Sequence, residues 1–234
     1  MSLGELVQNL GVSESTIRRD LEMLEEQGVV KRTHGGAVCV QEASGHRLAF
    51  ADRETSAAAE KQAIARAVAA LIPENQTVIL DGGPTCFQVA QALQGRRLNV
   101  ITNSVPIASL LSTDLATEVT LIGGYVYPRT GVALGSMAAQ MLEGLHATQL
   151  VLSCAGVTEE GAYNSNQMMV EVERRMIQIA EQVILAADHT KFGMRAVVKL
   201  CDLQQVDVIV TDAAAPGEVR DWLGKSGARV IYAQ

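Results

Sequence analysis

From Ala57 to the carboxy terminus, short β-branched runs alternate with helix-length stretches, and this alternation restricts the fold of the 234-residue chain more than any other feature. TVILD (77–81), NVITN (99–103), EVTLIGG (118–124), QLVLSCAG (149–156), QVILAAD (182–188), VDVIVTD (206–212) and ARVIYA (228–233) read as strands. Helical stretches at 57–71, 85–94, 136–144 and 167–181, with a short one after Pro106, lie between them. Connections long enough for a helix and without tight hairpin signals pair strands in parallel, as βαβ units. Such strands need cover on both faces, hence three layers. The segment 189–200 breaks the rhythm and is expected to hold a short strand or a hairpin. The expectation is an α/β fold: a three-layer, mostly parallel, Rossmann-like domain at 57–234.

Composition agrees with that frame. Apolar residues make up 48% of the chain and aromatic ones 3%, so the core is aliphatic and alanine-rich. No apolar run approaches the roughly 20 residues of a bilayer span, and no signal-peptide pattern opens the chain, so no membrane partner is expected. Cys39, Cys86, Cys154 and Cys201 form no C-x-x-C pair, and the four histidines are scattered. That spacing argues against a disulfide framework and a metal site and for a reducing cytoplasm. No cofactor is expected.

Ahead of the alternation, residues 1–40 are charged and of short helical period. GELVQNLGVSESTIRRDLEMLEEQG reads as helix, turn, helix. Gly11 permits the bend, Ser13 is a good N-cap and Gly28 is well placed to close the second helix. Ile17, Leu21 and Leu24 share the inward face, which leaves Ser15, Thr16, Arg18 and Arg19 pointing outward from the first turn. That turn enters the major groove in helix-turn-helix proteins, where arginine forks grip guanine edges or phosphates. VVKRTHGGAV then reads as a β-wing, with Lys31, Arg32 and His34 beside the phosphate backbone. The formal charge of −7 excludes coating of nucleic acid along the whole surface, not one basic face. The module is read as a winged helix-turn-helix, and the aperiodic stretch 41–56 as a linker.

In the larger domain the glycines fall at strand ends. Asp81, Gly82, Gly83, Pro84 and Thr85 join a strand to a helix, an arrangement in which main-chain amides and a helix amino end cradle an anion. Asn103 and Ser104, Gly123 and Gly124, and Gly156 close three further strands. Ligands in open α/β sheets bind outside the carboxyl ends of the strands, so these loops are expected to share one crevice. Asp81, Asn103 and Asn164 suit hydroxyl groups. Glu171 and Glu173 either line the crevice or form a solvated helix flank. Arg129 either reaches the ligand or lies on the surface. Cys86 is expected to pack against the sheet.

Taken in order, VSESTIRRDLEMLEEQGVVKRTHGGA, Arg53, Glu60-Lys61, ILDGGPT, VITNS, LIGG, ADHTKFG and VIVTD resemble the DeoR family of bacterial transcriptional regulators over nearly the whole chain. The resemblance implies an amino-terminal winged helix and a carboxy-terminal sensor similar in fold to ribose-5-phosphate isomerase and glucosamine-6-phosphate deaminase. It also implies a phosphorylated sugar or polyol as effector, and an oligomeric repressor of a carbohydrate operon. It favours Lys191 as a point-charge partner for a phosphate over an ordinary loop lysine. Family members carry a further helix ahead of the equivalent of GELVQNLGVS, so weak operator binding is expected without one. The other class of function is a sugar-phosphate isomerase or deaminase, but GVTEEGAYNSN lacks the histidine that related deaminases carry in that loop. The partners expected are operator DNA, the effector and a second copy, as dimer or tetramer, with the apolar helix at 57–71 a candidate surface.

Overall fold

Two helices open the chain in the computed structural model, which describes residues 3–26, 30–33, 36–39 and 56–234. They are α1 (Leu3–Leu10) and α2 (Glu14–Glu26). Gly11 turns between them at φ +65°, a left-handed conformation that glycine takes without cost. Ser13 Oγ accepts from the Thr16 amide at 3.3 Å and so caps α2. Ile17 and Leu21 are buried, as their spacing requires. Strands β1 (Val30–Thr33) and β2 (Gly36–Cys39) pair antiparallel, with Thr33 opposite Gly36. Gly28, His34 and residues 40–55, with Arg53 and most of the expected linker, lie outside the described residues. Contacts divide the chain into Met1–Gly45 and His46–Gln234.

The larger unit begins with α3 (Ala58–Leu71). The sheet strands are β3 (Thr77–Leu80), β4 (Leu98–Thr102), β5 (Thr117–Leu121), β8 (Ala147–Leu152), β11 (Ala180–Ala186), β13 (Val208–Asp212) and β14 (Arg229–Ala233). They form one parallel sheet in the order β14-β13-β11-β8-β3-β4-β5. Successive strand residues serve opposite faces. Val78, Leu80, Val100, Val151, Ile184 and Val210 pack with Ile64 and Val68 of α3 and with α4 (Pro84–Ala92) and α5 (Val105–Leu111). Ile79, Ile101, Leu150, Leu152, Leu185 and Ile209 pack on the other side with α6 (Ser136–Met141), α7 (Gln167–Ile179) and α8 (Gly217–Leu223). The three layers follow. The apolar face of α3 is covered by its own sheet, Ile64 and Val68 being fully enclosed, so it is not an open surface for a second copy.

The structure departs from the expected pattern at two hairpins. β6 (Tyr125–Tyr127) and β7 (Val132–Leu134) pair antiparallel inside what reads as a glycine-punctuated loop. β9 (Gly156–Thr158) and β10 (Gly161–Asn164) form a second hairpin, and β12 (Val198–Cys201) joins it antiparallel, supplying the short strand expected near 189–200. The β9–β10 turn has no Asn-Gly or Asp-Gly signal. Instead the Glu160 amide donates to Thr158 Oγ1 at 3.2 Å, and Gly161 sits at φ +146°. A Cβ on Gly161 would stand 2.1 Å from the Cys201 carbonyl oxygen, so the glycine is set by the neighbouring strand rather than by the turn.

Candidate functional site

Four adjacent strands, β11, β8, β3 and β4, bring their carboxyl ends together, since hydrogen-bonded strands lie about 4.8 Å apart. Asp81 follows β3 and is 2% exposed; its Oδ2 accepts from the Ser153 amide at 3.1 Å and from Ser153 Oγ at 2.8 Å, at the end of β8. Asn103 follows β4 and is 1% exposed. Its Nδ2 donates to the Ala133 carbonyl at 3.1 Å, while its buried Oδ1 has no hydrogen-bond partner among the described residues. Thr102 Oγ1 donates to Leu80 O and accepts from the Ser104 amide, which locks the two turns together. Ser104 in turn caps α5 through the Ile107 amide. Thr85 is buried in the first turn of α4.

The glycines meet protein. A Cβ on Gly82 would stand 2.0 Å from Val132 Cγ1, and one on Gly83 would stand 2.4 Å from Ser153 Oγ. Gly124 faces Leu134 O and Ala138, and Gly156 faces the Met194 carbonyl; Gly123 lies against Met141. Their missing side chains let the β6–β7 hairpin, the end of β8 and the 194 loop close over the strand ends. Arg129, in the β6–β7 loop, is half-buried.

The tip of β11 is the cationic side. Asp188 is fully buried and caps a 3-10 turn, His189–Lys191, accepting from the Thr190 amide and hydroxyl. Lys191 is half-buried there. The Cys154 thiol, half-buried at the neighbouring β8 tip, is pushed up by burial while the Lys191 ammonium pulls it down. His189 takes Asp212 as partner, Nδ1 to Oδ1 3.0 Å, and its amide donates to Oδ2 at 2.7 Å. Lys61 reaches Asp188 from α3, Nζ to Oδ2 3.6 Å.

The structure separates the two glutamates of α7. Glu171 is exposed, whereas Glu173, two residues on and so on the other side of the helix, is fully buried. Glu173 Oε1 accepts from Asn164 Nδ2 at 2.6 Å, and Oε2 has no hydrogen-bond partner among the described residues. Burial, and after it the Asp81 carboxylate, holds the Glu173 carboxyl well above its ordinary range against the Asn164 hydrogen bond. Cys86 is fully buried against the sheet and donates to Val151 O. Sequence reasoning missed Ser153, Asp188, His189 and Asp212 as members of this constellation, and Lys61 as the partner of Asp188 behind it. Lys61 had a signal: three residues before Ile64 and seven before Val68, it occupies an apolar position of α3.

On the smaller unit, Ser15, Thr16, Arg18 and Arg19 are exposed together on the first turns of α2. Arg18 is paired with Glu14, Nη2 to Oε1 2.5 Å, a solvent-exposed i,i+4 pair that a phosphate can replace. Lys31 and Arg32 lie on β1.

Comparison with known proteins bears on both units. Residues 1–43 match the model of the DeoR-like helix-turn-helix domain, and residues 56–213 match that of the DeoR C-terminal sensor domain. The HTH-type transcriptional repressor CsqR of Escherichia coli is 35% identical over 100% of this chain and 90% of its own length. The glycerol-3-phosphate regulon repressor of the same organism is 33% identical over 94% of this chain and 87% of its own. Among solved structures, ribose 5-phosphate isomerase A from Neisseria gonorrhoeae is similar at 16% identity and a TM-score of 0.40, over 58% of this chain and 53% of that one.

Proposed function

This chain belongs to the DeoR family of transcriptional regulators, and from that membership we propose that a phosphorylated sugar or polyol, bound at the tips of β3, β4, β8 and β11, sets the affinity of the α2 face for operator DNA. Lys191 is the point charge for the phosphate. Its half-buried position on a turn held by Asp188, beside the half-buried end of β8, is the observation that carries this reading. Gly82, Gly83 and Thr85 bring the amino end of α4 to the same crevice, and Asp81, Asn103 and Asn164 hold the polar rim toward hydroxyl groups. Gly123, Gly124, Ser104 and Gly156 shape its walls. Glu171 stands outside this cluster, and Glu173 supports it from below.

Ser15, Thr16, Arg18 and Arg19 meet the major groove, and Lys31, Arg32 and His34 the backbone beside it. A dimeric or tetrameric repressor acting in the cytoplasm on a carbohydrate operon suits this arrangement, since paired modules read half-sites about one helical turn apart. A coupling of about 1–3 kcal/mol changes operator affinity roughly five- to 150-fold. The protein is read as a sensor without turnover: GVTEEGAYNSN offers no histidine where related deaminases carry one, and burial holds the Glu173 carboxyl above its ordinary range.

Thermal melts against a panel of sugar and polyol phosphates test the reading. A ligand at a hundred times its dissociation constant adds about 2.7 kcal/mol of stability. Lys191→Ala is expected to abolish the shift. An unchanged shift in that variant removes Lys191 from the site, and isomerised product after incubation overturns the sensor-only role.

A further inference from the structure

The chain's entry into the larger unit and the turn that carries Lys191 meet at one buried lysine. Lys61, one turn into α3, is 4% exposed, and its ion-pair partner Asp188 is 0% exposed. The same ammonium donates to the carbonyl of Ser56, five residues back and at the end of the stretch that joins the two modules. Between Ser56 and α3 stands Ala57, which caps the helix at φ 51°, ψ 44° with no side-chain hydrogen bond. Alanine in the left-handed region is strained and stays there only when its surroundings hold it. Here the Lys61 side chain holds Ser56 in front of it, and the Lys61 amide holds the Ala57 carbonyl at 3.0 Å.

The second contact of that ammonium is less firm. Asp188 spends Oδ1 on Thr190, while Oδ2 has no hydrogen bond among the described residues, and at 3.6 Å the Lys61 ammonium stops short of making one. Three residues after Asp188, in the turn it caps, comes Lys191. Burial lowers the pKa of Lys61, Asp188 raises it and Lys191 lowers it again, so the two ammonium groups repel each other; Glu60 pulls the other way.

We propose that Lys61 is a latch through which occupancy of the effector site reaches the backbone at Ser56 and Ala57. An anion on Lys191 cancels the repulsion between the two lysines. Lys61 then closes on Asp188 Oδ2, loosens its hold on the Ser56 carbonyl and lets Ala57 leave the left-handed region. Ala57 is the residue on which α3 begins, so the change is felt at the start of that helix. The inference rests on the effector reading above and adds the positioning residue by which a bound phosphate is felt.

Hydrogen exchange on the full chain, with inorganic phosphate and in parallel the sugar and polyol phosphates, tests it. A compound that raises the melting temperature is expected to speed exchange of the 57–61 amides several-fold. In Lys61→Met the melting shift persists, because Lys191 remains, but exchange at 57–61 no longer responds. Should that variant fail to fold, Ala57→Gly is the alternative: glycine adopts the same φ without strain, so nothing drives residue 57 out of it and exchange there stays slow with or without phosphate. Unaltered or slowed exchange in the wild type, alongside a raised melting temperature, overturns the latch and leaves the effector site standing. So does a Lys61→Met protein that keeps the response. If no phosphate compound raises the melting temperature, the effector reading fails and the latch falls with it.

Discussion

At the scale of single residues, the carboxyl ends of the strands hold polar groups that the fold has removed from water. Glu173 is fully enclosed beside Asp81, with one carboxyl oxygen hydrogen-bonded to Asn164 and the other without a hydrogen bond among the described residues. Its pKa in the folded state lies well above that in the unfolded chain, so the folded protein binds more protons through that window. Stability is therefore full below the ordinary glutamate value and is lost as pH climbs toward the raised one. Glu173→Gln keeps an acceptor for Asn164 and has no proton to lose. It is expected to flatten the dependence of melting temperature between pH 5 and 8 and to add about 1–3 kcal/mol at the upper end. A variant as pH-sensitive as the wild type contradicts the assignment. Glu171, on the opposite side of the same helix, is the control whose loss leaves the profile alone.

At the scale of elements, the strands of the main sheet are legible because each is a short β-branched run, and the inner ones, such as β3, β8 and β13, are buried on both faces. Hairpins β6–β7 and β9–β10 are not, because their glycines answer to distant atoms rather than to turn geometry. Gly156 shows the difference: its backbone lies so close to the 194 loop that a Cβ would stand 2.2 Å from Met194 O. The obstacle is backbone, which cannot rotate away as a side chain does. Gly156→Ala is thus expected to cost about 1–3 kcal/mol in urea unfolding, the usual range for overpacking, and to shift the loop that lies over the end of β8. A cost within a few tenths of a kcal/mol would show that the loop gives way freely. The same reasoning moves the glycines after β3 from an expected bare cradle to a packed joint, with Val132 and Ser153 beside them.

For the whole molecule, the two units differ greatly in what they bury. The larger encloses two aliphatic layers on either side of a seven-stranded sheet. In the smaller, Ile17 and Leu21 are the enclosed residues among those whose burial is described. Units of some 45 residues are marginal unless something else supports them. Urea unfolding is accordingly expected in two steps, the first seen by a probe on α2 and the second by Trp222 fluorescence. Coincident transitions by both probes would mean that the units stabilise each other. Effector added in saturating amount moves the second step, and operator DNA the first.

Periodicity and capping chemistry in the sequence by themselves settle the helix-turn-helix and the run of parallel strands, because each depends on residues adjacent in the chain or one turn apart. The tertiary structure decides which of those ends touch: that Asp81 answers to Ser153, that Glu173 rather than Glu171 turns inward, and that Lys61 meets Asp188. The groups that meet this way lie far apart in the chain, Asp81 and Ser153 by 72 residues. Only the order of strands in the sheet and the packing of the helices upon it bring such groups within reach of one another.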